Sequence, residues 1–164
     1  MKIKKHITAL ATAAALSATL PAVAQQSQHM TPETMLSLAR VGASALSPDG
    51  KTVVYSVGFP SIKDNKIRTE LFTISSDGSA RRQITQGVAG VHGARWIQQG
   101  RRISYISSES GAPQVWTMAP DGTDRRQVTN IEGGLSDYLF SPDEKQLAYI
   151  KEISFGKSTK EIYP

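Results

Sequence analysis

Residues 70–85, ELFTISSDGSARRQIT, reappear as residues 114–129, QVWTMAPDGTDRRQVT, without a gap and at an offset of 44 residues. Thr73 matches Thr117, Asp77-Gly78 matches Asp121-Gly122, and Arg81-Arg82-Gln83 matches Arg125-Arg126-Gln127. A self-match at this period signals a repeat architecture and restricts the fold before any local assignment is made. Each copy reads as an apolar run, an Asp-Gly turn and a second short run, which is how a β-hairpin is written.

The flanking residues extend the pattern. Ser44-Ala45-Leu46 runs into Ser47-Pro48-Asp49-Gly50, where proline fixes φ, aspartate accepts backbone hydrogen bonds and glycine tolerates positive φ. Strands are predicted at 51–57, 70–75 and 80–84, with a loop at 58–66. The second unit repeats this with Ala94-Arg95-Trp96, strands at 102–107, 114–119 and 125–128, and a turn at Gly111-Ala112-Pro113. A third unit opens at Leu135. Its Phe140-Ser141-Pro142-Asp143-Glu144-Lys145 matches residues 46–51, and a strand is predicted at 146–151. Leu46, Trp96 and Phe140 hold equivalent places, each expected to pack between neighbouring sheets.

Four short strands per unit at a period near 44 residues predict an all-β fold, a β-propeller of four-stranded antiparallel blades. The missing helical periodicity excludes leucine-rich and helical repeats; a flat β-sandwich is the alternative. The blades are expected at about 41–86, 87–130 and 131–164, the last incomplete. Propellers close with roughly four to eight blades. The chain is therefore expected to be the N-terminal portion of a longer protein, the opening third or so of a ring, with apolar surface left uncovered.

The first 24 residues stand apart. Lys2, Lys4 and Lys5 precede an apolar, small-residue stretch, and Pro21-Ala22-Val23-Ala24 ends in an A-x-A pattern. This predicts a secretory signal peptide cleaved after Ala24, and a periplasmic or secreted protein with no membrane span after cleavage. Residues 25–40 are expected to form a polar tail and a short helix. Thr31 would cap it, Pro32 and Glu33 suit its first turn, Met35, Leu38 and Ala39 share a face, and Gly42 would stop it.

Removing the leader takes away three of the 19 basic residues and no acidic one, leaving 16 against 14. The net charge falls from +5 to +2, so composition makes no case for nucleic acid. The chain has no cysteine, so an exported fold must be held by packing rather than by disulfides.

No catalytic, cofactor-binding or metal-ligating residue is expected, and no cofactor. Arg81-Arg82, Arg101-Arg102 and Arg125-Arg126 read as charges that guard blade edges in preference to a rim for acidic peptides. Asp49, Asp77, Asp121 and Asp143 each sit singly in a tight turn, unlike the closely spaced oxygen ligands of a calcium loop. His92 lies within the repeats, while His6 is in the leader and His29 in the tail, so zinc ligation has no paired histidines to use. Trp96 and Trp116 are expected to pack blades rather than stack a ligand. Ser47 and Ser141 precede proline in turns, with no nucleophile elbow around them.

The combination S-P-D-G-K, a strand, then x-D-G-[ST]-x-x-R-x-[IV]-T resembles the repeat of periplasmic propellers. These occur in TolB-like proteins and in the N-terminal domain of the prolyl oligopeptidase family of serine peptidases. Residues 30–41, MTPETMLSLARV, are similar to the short helix that precedes the first blade in exported dipeptidyl-peptidases and acylaminoacyl-peptidases. Asn130-Ile131-Glu132-Gly133-Gly134, residues 140–146, Phe155-Gly156-Lys157 and Glu161-Ile162-Tyr163-Pro164 resemble bacterial dipeptidyl-peptidases of type V.

The resemblance implies a propeller that covers an α/β-hydrolase domain and admits only short peptides. That domain would use a Ser-Asp-His triad, with the serine in G-x-S-x-G, to release dipeptides from peptide N-termini. No G-x-S-x-G occurs in this sequence, and no triad member carries over. The glutamate pair that holds a substrate amino terminus in some dipeptidyl-peptidases has no counterpart either. The expected partners are the chain's own C-terminal hydrolase domain and peptide substrates. The alternative is a non-enzymatic, TolB-like propeller for protein interaction.

Overall fold

The computed structural model describes residues 29–153. The expected signal peptide and the segment from Phe155 to the end lie outside them. The described chain opens with a six-residue helix, α1 (Pro32–Ser37), where Thr31 Oγ1 accepts the Thr34 amide at 3.1 Å. It ends at Ser37 rather than at Gly42, because no residue of it is buried and a single turn and a half gains little alone. From Arg40 the chain instead gains a ladder with its neighbour.

The first blade has four antiparallel strands in spatial order: β1 (Arg40–Leu46), β2 (Thr52–Ser61), β3 (Lys66–Ser75) and β4 (Arg82–Gln83). The second repeats them as β5 (His92–Ile97), β6 (Arg102–Ser107), β7 (Gln114–Met118) and β8 (Arg126–Gln127). β9 (Asp137–Phe140) and β10 (Leu147–Ile150) form the hairpin that opens a third. The fold is a β-propeller with an incomplete ring.

Two boundaries differ from expectation. The loop expected at 58–66 is mostly strand, since β2 and β3 stay paired through Phe59↔Arg68, Pro60↔Ile67 and Ser61↔Lys66. Pro60 is tolerated there because the β1 ladder stops at Arg40↔Gly58, so β2 is an edge on that side. The outermost strands shrink to two residues each. Ala80 and Asp124, both at φ 51°, turn the backbone out of the extended region just before them.

Strand alternation gives each blade two faces. On the first blade, Ala45, Val54 and Leu71 point toward the second; we call this the trailing face. Against it lies the leading face of the second blade, with Trp96, Ile103, Tyr105, Trp116 and Met118, and the connection supplies Ile84, Val88 and Val91. The second blade's trailing face contributes Ile106 and Val115, which meet Leu135, Tyr138, Phe140 and Leu147 of the third. Burying each large side chain is worth about 1.5–3 kcal/mol, so these two seams carry most of the stability. Trp96 and Phe140 pack as expected. Leu46, their equivalent, is 57% exposed, because no described blade precedes the first.

Candidate functional site

The tight turns consume the chemistry that their residues offer. Ser47 Oγ donates to Asp49 Oδ1 at 2.5 Å and accepts the Thr52 amide at 2.9 Å. Ser141, Asp143 and the Gln146 amide repeat this arrangement. Asp77 accepts the amide and hydroxyl of Ser79, and Asp121 those of Thr123. The hydroxyl donor is the main cause that holds all four carboxyls below the usual aspartate value, followed by the amide. Among the described residues, no three histidine, cysteine or acidic side chains gather to hold a metal.

The other candidates are tied to structure. His92 is exposed and its Nδ1–H donates to the Gly90 carbonyl at 2.9 Å. Trp96 Nε1 donates to the Ala45 carbonyl at 3.0 Å, across the first seam. Trp116 packs in the same cluster, but its Nε1 and the Tyr105 hydroxyl are buried without a partner. Burial pushes the Tyr105 phenol up to about 12. Tyr138 is pushed up to about 12 for the same reason, while its hydroxyl donates to Gly93 and meets Ser104 Oγ at 2.8 Å.

The three arginine pairs have different fates. Arg82 and Arg126 lie exposed on the outermost strands. Arg102 is half-buried on β6, between two other strands: it pairs with Asp124 at 2.7 Å and donates to Thr117 Oγ1. Arg101 donates to the Gln98 carbonyl of its own turn. Arg125 crosses the first seam to the Ile84 carbonyl at 3.2 Å. Arg81, its equivalent, folds back instead: its guanidinium lies 4.8 Å from the centre of the Phe72 ring, and Nε donates to the Tyr55 hydroxyl at 3.1 Å.

Arg81 belongs to a cluster on the leading face of the first blade that the sequence alone did not single out. Tyr55 stacks on Phe72 at 5.7 Å, Phe59 tilts against Phe72 at 6.3 Å, and Arg68 sits over Phe59 at 5.4 Å. Beneath it Glu70 is fully buried. Its carboxylate accepts Arg68 at 2.9 Å, the Thr85 hydroxyl at 2.7 Å and the Gly87 amide at 2.8 Å. Beyond Phe59 the long β2–β3 hairpin forms an open groove with Pro60, Ser61, Asp64 and Lys66. The signal for this cluster was periodic: Tyr55 and Phe72 stand where the second blade has Tyr105 and Trp116. The arrangement offers aromatic faces and cations for packing and carbonyl recognition. Its hydroxyl–carboxylate contacts, Thr85 on Glu70 and Ser61 on Asp64, both at 2.7 Å, tie the blade to its exit and close the hairpin turn.

No family model matches the sequence. Two curated proteins do. One is a dipeptidyl-peptidase 5 of Porphyromonas gingivalis, 56% identical over 84% of this chain and 20% of that protein. The other is a dipeptidyl-peptidase 5 of Porphyromonas endodontalis, 44% identical over 85% of this chain and again 20% of that protein. The chain thus spans a fifth of the length of the relatives it matches. Among solved structures, it superposes on the β-propeller domain of a trilobed protease from Pyrococcus furiosus, with TM-score 0.52, 16% identity, and 68% of this chain and 34% of that one covered. It superposes on TolB from Acinetobacter baumannii with TM-score 0.57 and 19% identity, covering 70% of this chain and 27% of that one. The likeness to these two is one of fold. By fold the chain is a β-propeller segment, and over most of its length its sequence is similar to that of two dipeptidyl-peptidases 5.

Proposed function

We propose that this chain is the N-terminal propeller portion of an exported serine peptidase that releases dipeptides from peptide N-termini. It would limit access to an α/β-hydrolase domain and leave the chemistry to that domain. The 56% identity to a dipeptidyl-peptidase 5 carries this reading. The positive, apolar, A-x-A leader supports export to the periplasm or beyond. The described residues contribute walls rather than a triad, since each serine, histidine and aspartate weighed above is held in its own turn or loop. The partners on this reading are peptide substrates and the chain's own hydrolase domain. No nucleic acid or membrane contact is part of it.

Expression of the entire reading frame tests this, with release of naphthylamine from dipeptidyl-naphthylamides as the assay. Hydrolysis abolished by replacing the serine of a downstream G-x-S-x-G supports the proposal. A frame that ends after its last blade, with no hydrolysis, favours the TolB-like interaction module. The 164-residue chain by itself is expected to be inactive on either reading.

A further inference from the structure

The β2–β3 hairpin overhangs its blade, and the repeat does not require it to. Glu70 and Gln114 hold one repeat position. β7 begins at Gln114, whereas β3 already begins at Lys66. The second blade's counterparts of residues 66–69, Ser110-Gly111-Ala112-Pro113, belong to a turn. Among the described residues the overhang is a two-stranded ribbon, since β1 stops at Arg40↔Gly58 and β4 pairs only with Phe72 and Thr73. Its two edges differ. Backbone groups point to alternate sides along a strand, and the β2–β3 register is unbroken. The Thr52 carbonyl accepts the Ser47 amide on the β1 side, so Gly58 and Pro60 face that side too, and Pro60 has no N–H to offer. The Leu71 carbonyl accepts the Ile84 amide at 2.9 Å on the outer side, so Thr69 and Ile67 turn both N–H and C=O outward. The inner edge is thus closed to a further strand and the outer edge is open.

We propose that the outer edge of β3, from Lys66 to Thr69, is a docking site for an extended peptide of a separate molecule. The peptide adds as an antiparallel strand and alternates carboxylate with apolar side chains. Its main chain meets the N–H and C=O of Ile67 and Thr69, and its alternate side chains set the sequence that is accepted. On one face they fall opposite Lys66 and Arg68. Lys66 is exposed and forms no ion pair with a described residue. Arg68 gives Nη1 to Glu70 at 2.9 Å, but its side chain is 57% exposed and a guanidinium has further N–H groups for a second carboxylate. On the other face the added strand meets Ile67, which is 59% exposed. The ribbon is basic: residues 58–69 carry Lys63, Lys66 and Arg68 against Asp64 alone. Such charges act against a second copy. Two β3 edges paired antiparallel would set Lys66 and Arg68 of one against those of the other, and like charges directly opposite destabilise a sheet. The same charges select an acidic strand. The inference goes beyond the peptidase reading and rests on neither hydrolysis nor gating.

The test is fluorescence anisotropy of labelled, N-acetylated peptides titrated with the protein from the entire reading frame at low ionic strength. Acetylation leaves no amino terminus for dipeptide release. A peptide with the core Ser-Val-Glu-Val-Glu sets its glutamates opposite Arg68 and Lys66, and is expected to bind at least tenfold more tightly than one with Ser-Val-Lys-Val-Lys. N-methylation of its two valine amides keeps every side chain and should weaken binding at least tenfold. Lys66→Glu should weaken it severalfold. Ile67→Pro should weaken it as N-methylation does, because it removes an outward N–H and no bond to β2, just as Pro60 does across from it; an unchanged melting temperature would show that this variant folds. Undiminished binding of the N-methylated peptide would overturn the proposal by reducing the contact to charge attraction. No preference for the acidic core, or no binding at millimolar peptide, would also overturn it and leave Lys66 and Arg68 as guards of the edge. A dimer that grows with protein concentration in sedimentation and is abolished by Ile67→Pro would overturn it too, by making a second copy the occupant.

Discussion

Two buried side chains at one repeat position, Glu70 and Gln114, show how far the two blades are copies and where they part. Each accepts the hydroxyl of a threonine fifteen residues on, Thr85 or Thr129, at 2.7 and 2.8 Å. Each accepts an amide two residues later, from Gly87 or Ile131, at 2.8 and 3.0 Å. The same threonines also accept the Leu71 and Val115 amides, so each knot ties the third strand to the chain leaving the blade. The difference is charge. Glu70 is countered by Arg68, whereas Gln114 uses its amide to donate to the Ile131 carbonyl at 2.7 Å. The position where the second blade would need that arginine holds Ala112. The knot is thus a requirement of the blade, and the residue that ties it is free to change only together with a neighbour. The larger contrasts between the blades come from elsewhere: the second has a blade before it and the first, as described, does not.

The largest expected effect follows from that contrast. Trp96→Ala removes a ring from the first seam and its bond to the Ala45 carbonyl, and is expected to cost about 3–5 kcal/mol. Leu46→Ala, at the equivalent position, is expected to stay within about 0.5 kcal/mol in the 164-residue chain, because the side chain is already largely in water. Urea unfolding of the two variants measures both. Comparable losses would mean that Leu46 is buried in solution.

Swapping the knot comes next. Gln114→Glu buries a carboxylate with no cation and sets it against the Ile131 carbonyl, which loses its donor; about 3 kcal/mol is expected, since an uncompensated buried charge is the costly case. Adding Ala112→Arg should recover much of this. Glu70→Gln leaves one oxygen to accept both the Thr85 hydroxyl and the Gly87 amide, as Gln114 does for its own partners, and removes the pair with a half-exposed Arg68, for about 1 kcal/mol. Equal costs for the two swaps, by the same measurement, would sink the view that Arg68 is what permits an acid at Glu70.

What the sequence made legible, and what it hid, divides along the same line. The repeats reported the strand order, the Asp-Gly turns shared by the first two blades, the Ser-Pro-Asp turns shared by the first and third, and the packing role of Trp96, because each is a local requirement of a blade. It did not report that Phe59 and Pro60 continue β2, since Pro60 reads as a breaker unless the end of the β1 ladder is known. Nor did it separate Arg81 from Arg125, which match in sequence but differ in what stands opposite. Arg102 was misplaced among edge charges for a related reason: its partner Asp124 lies 22 residues away, on the far side of a hairpin.

A pair of glycines sharpens the contrast on a smaller scale. Gly78 and Gly122 both turn at positive φ, 86° and 89°, so alanine strains either backbone by about 1–2 kcal/mol. At Gly122 the added methyl would also press on the Ile84 backbone, which belongs to a packed seam and cannot give freely. At Gly78 it meets open space. Gly122→Ala is therefore expected to cost about 1 kcal/mol more than Gly78→Ala in thermal unfolding. If the two cost the same, the blades are not seated as closely as these positions require.

The smallest effect is electrostatic. Asp77 and Asp121 are both held below the usual aspartate value, first by the hydroxyls of Ser79 and Thr123 and then by their amides. Asp121 also feels Arg82 of the preceding blade, and Asp77 has no such cation among its causes. Because the folded carboxyl ionises more readily than the unfolded one, each contributes stability that is fully present above pH 3.8. That stability is lost as pH falls through the lower folded value. Both side chains are in water, so the Arg82 contribution is screened by salt. Carboxyl carbon titration by NMR at low ionic strength should show Arg82→Ala moving the Asp121 midpoint up while the Asp77 midpoint stays. A shift of both would mean that Arg82 acts on the turns of both blades, and no shift of either would mean that the exposed Arg82 is too far from Asp121 to act on it.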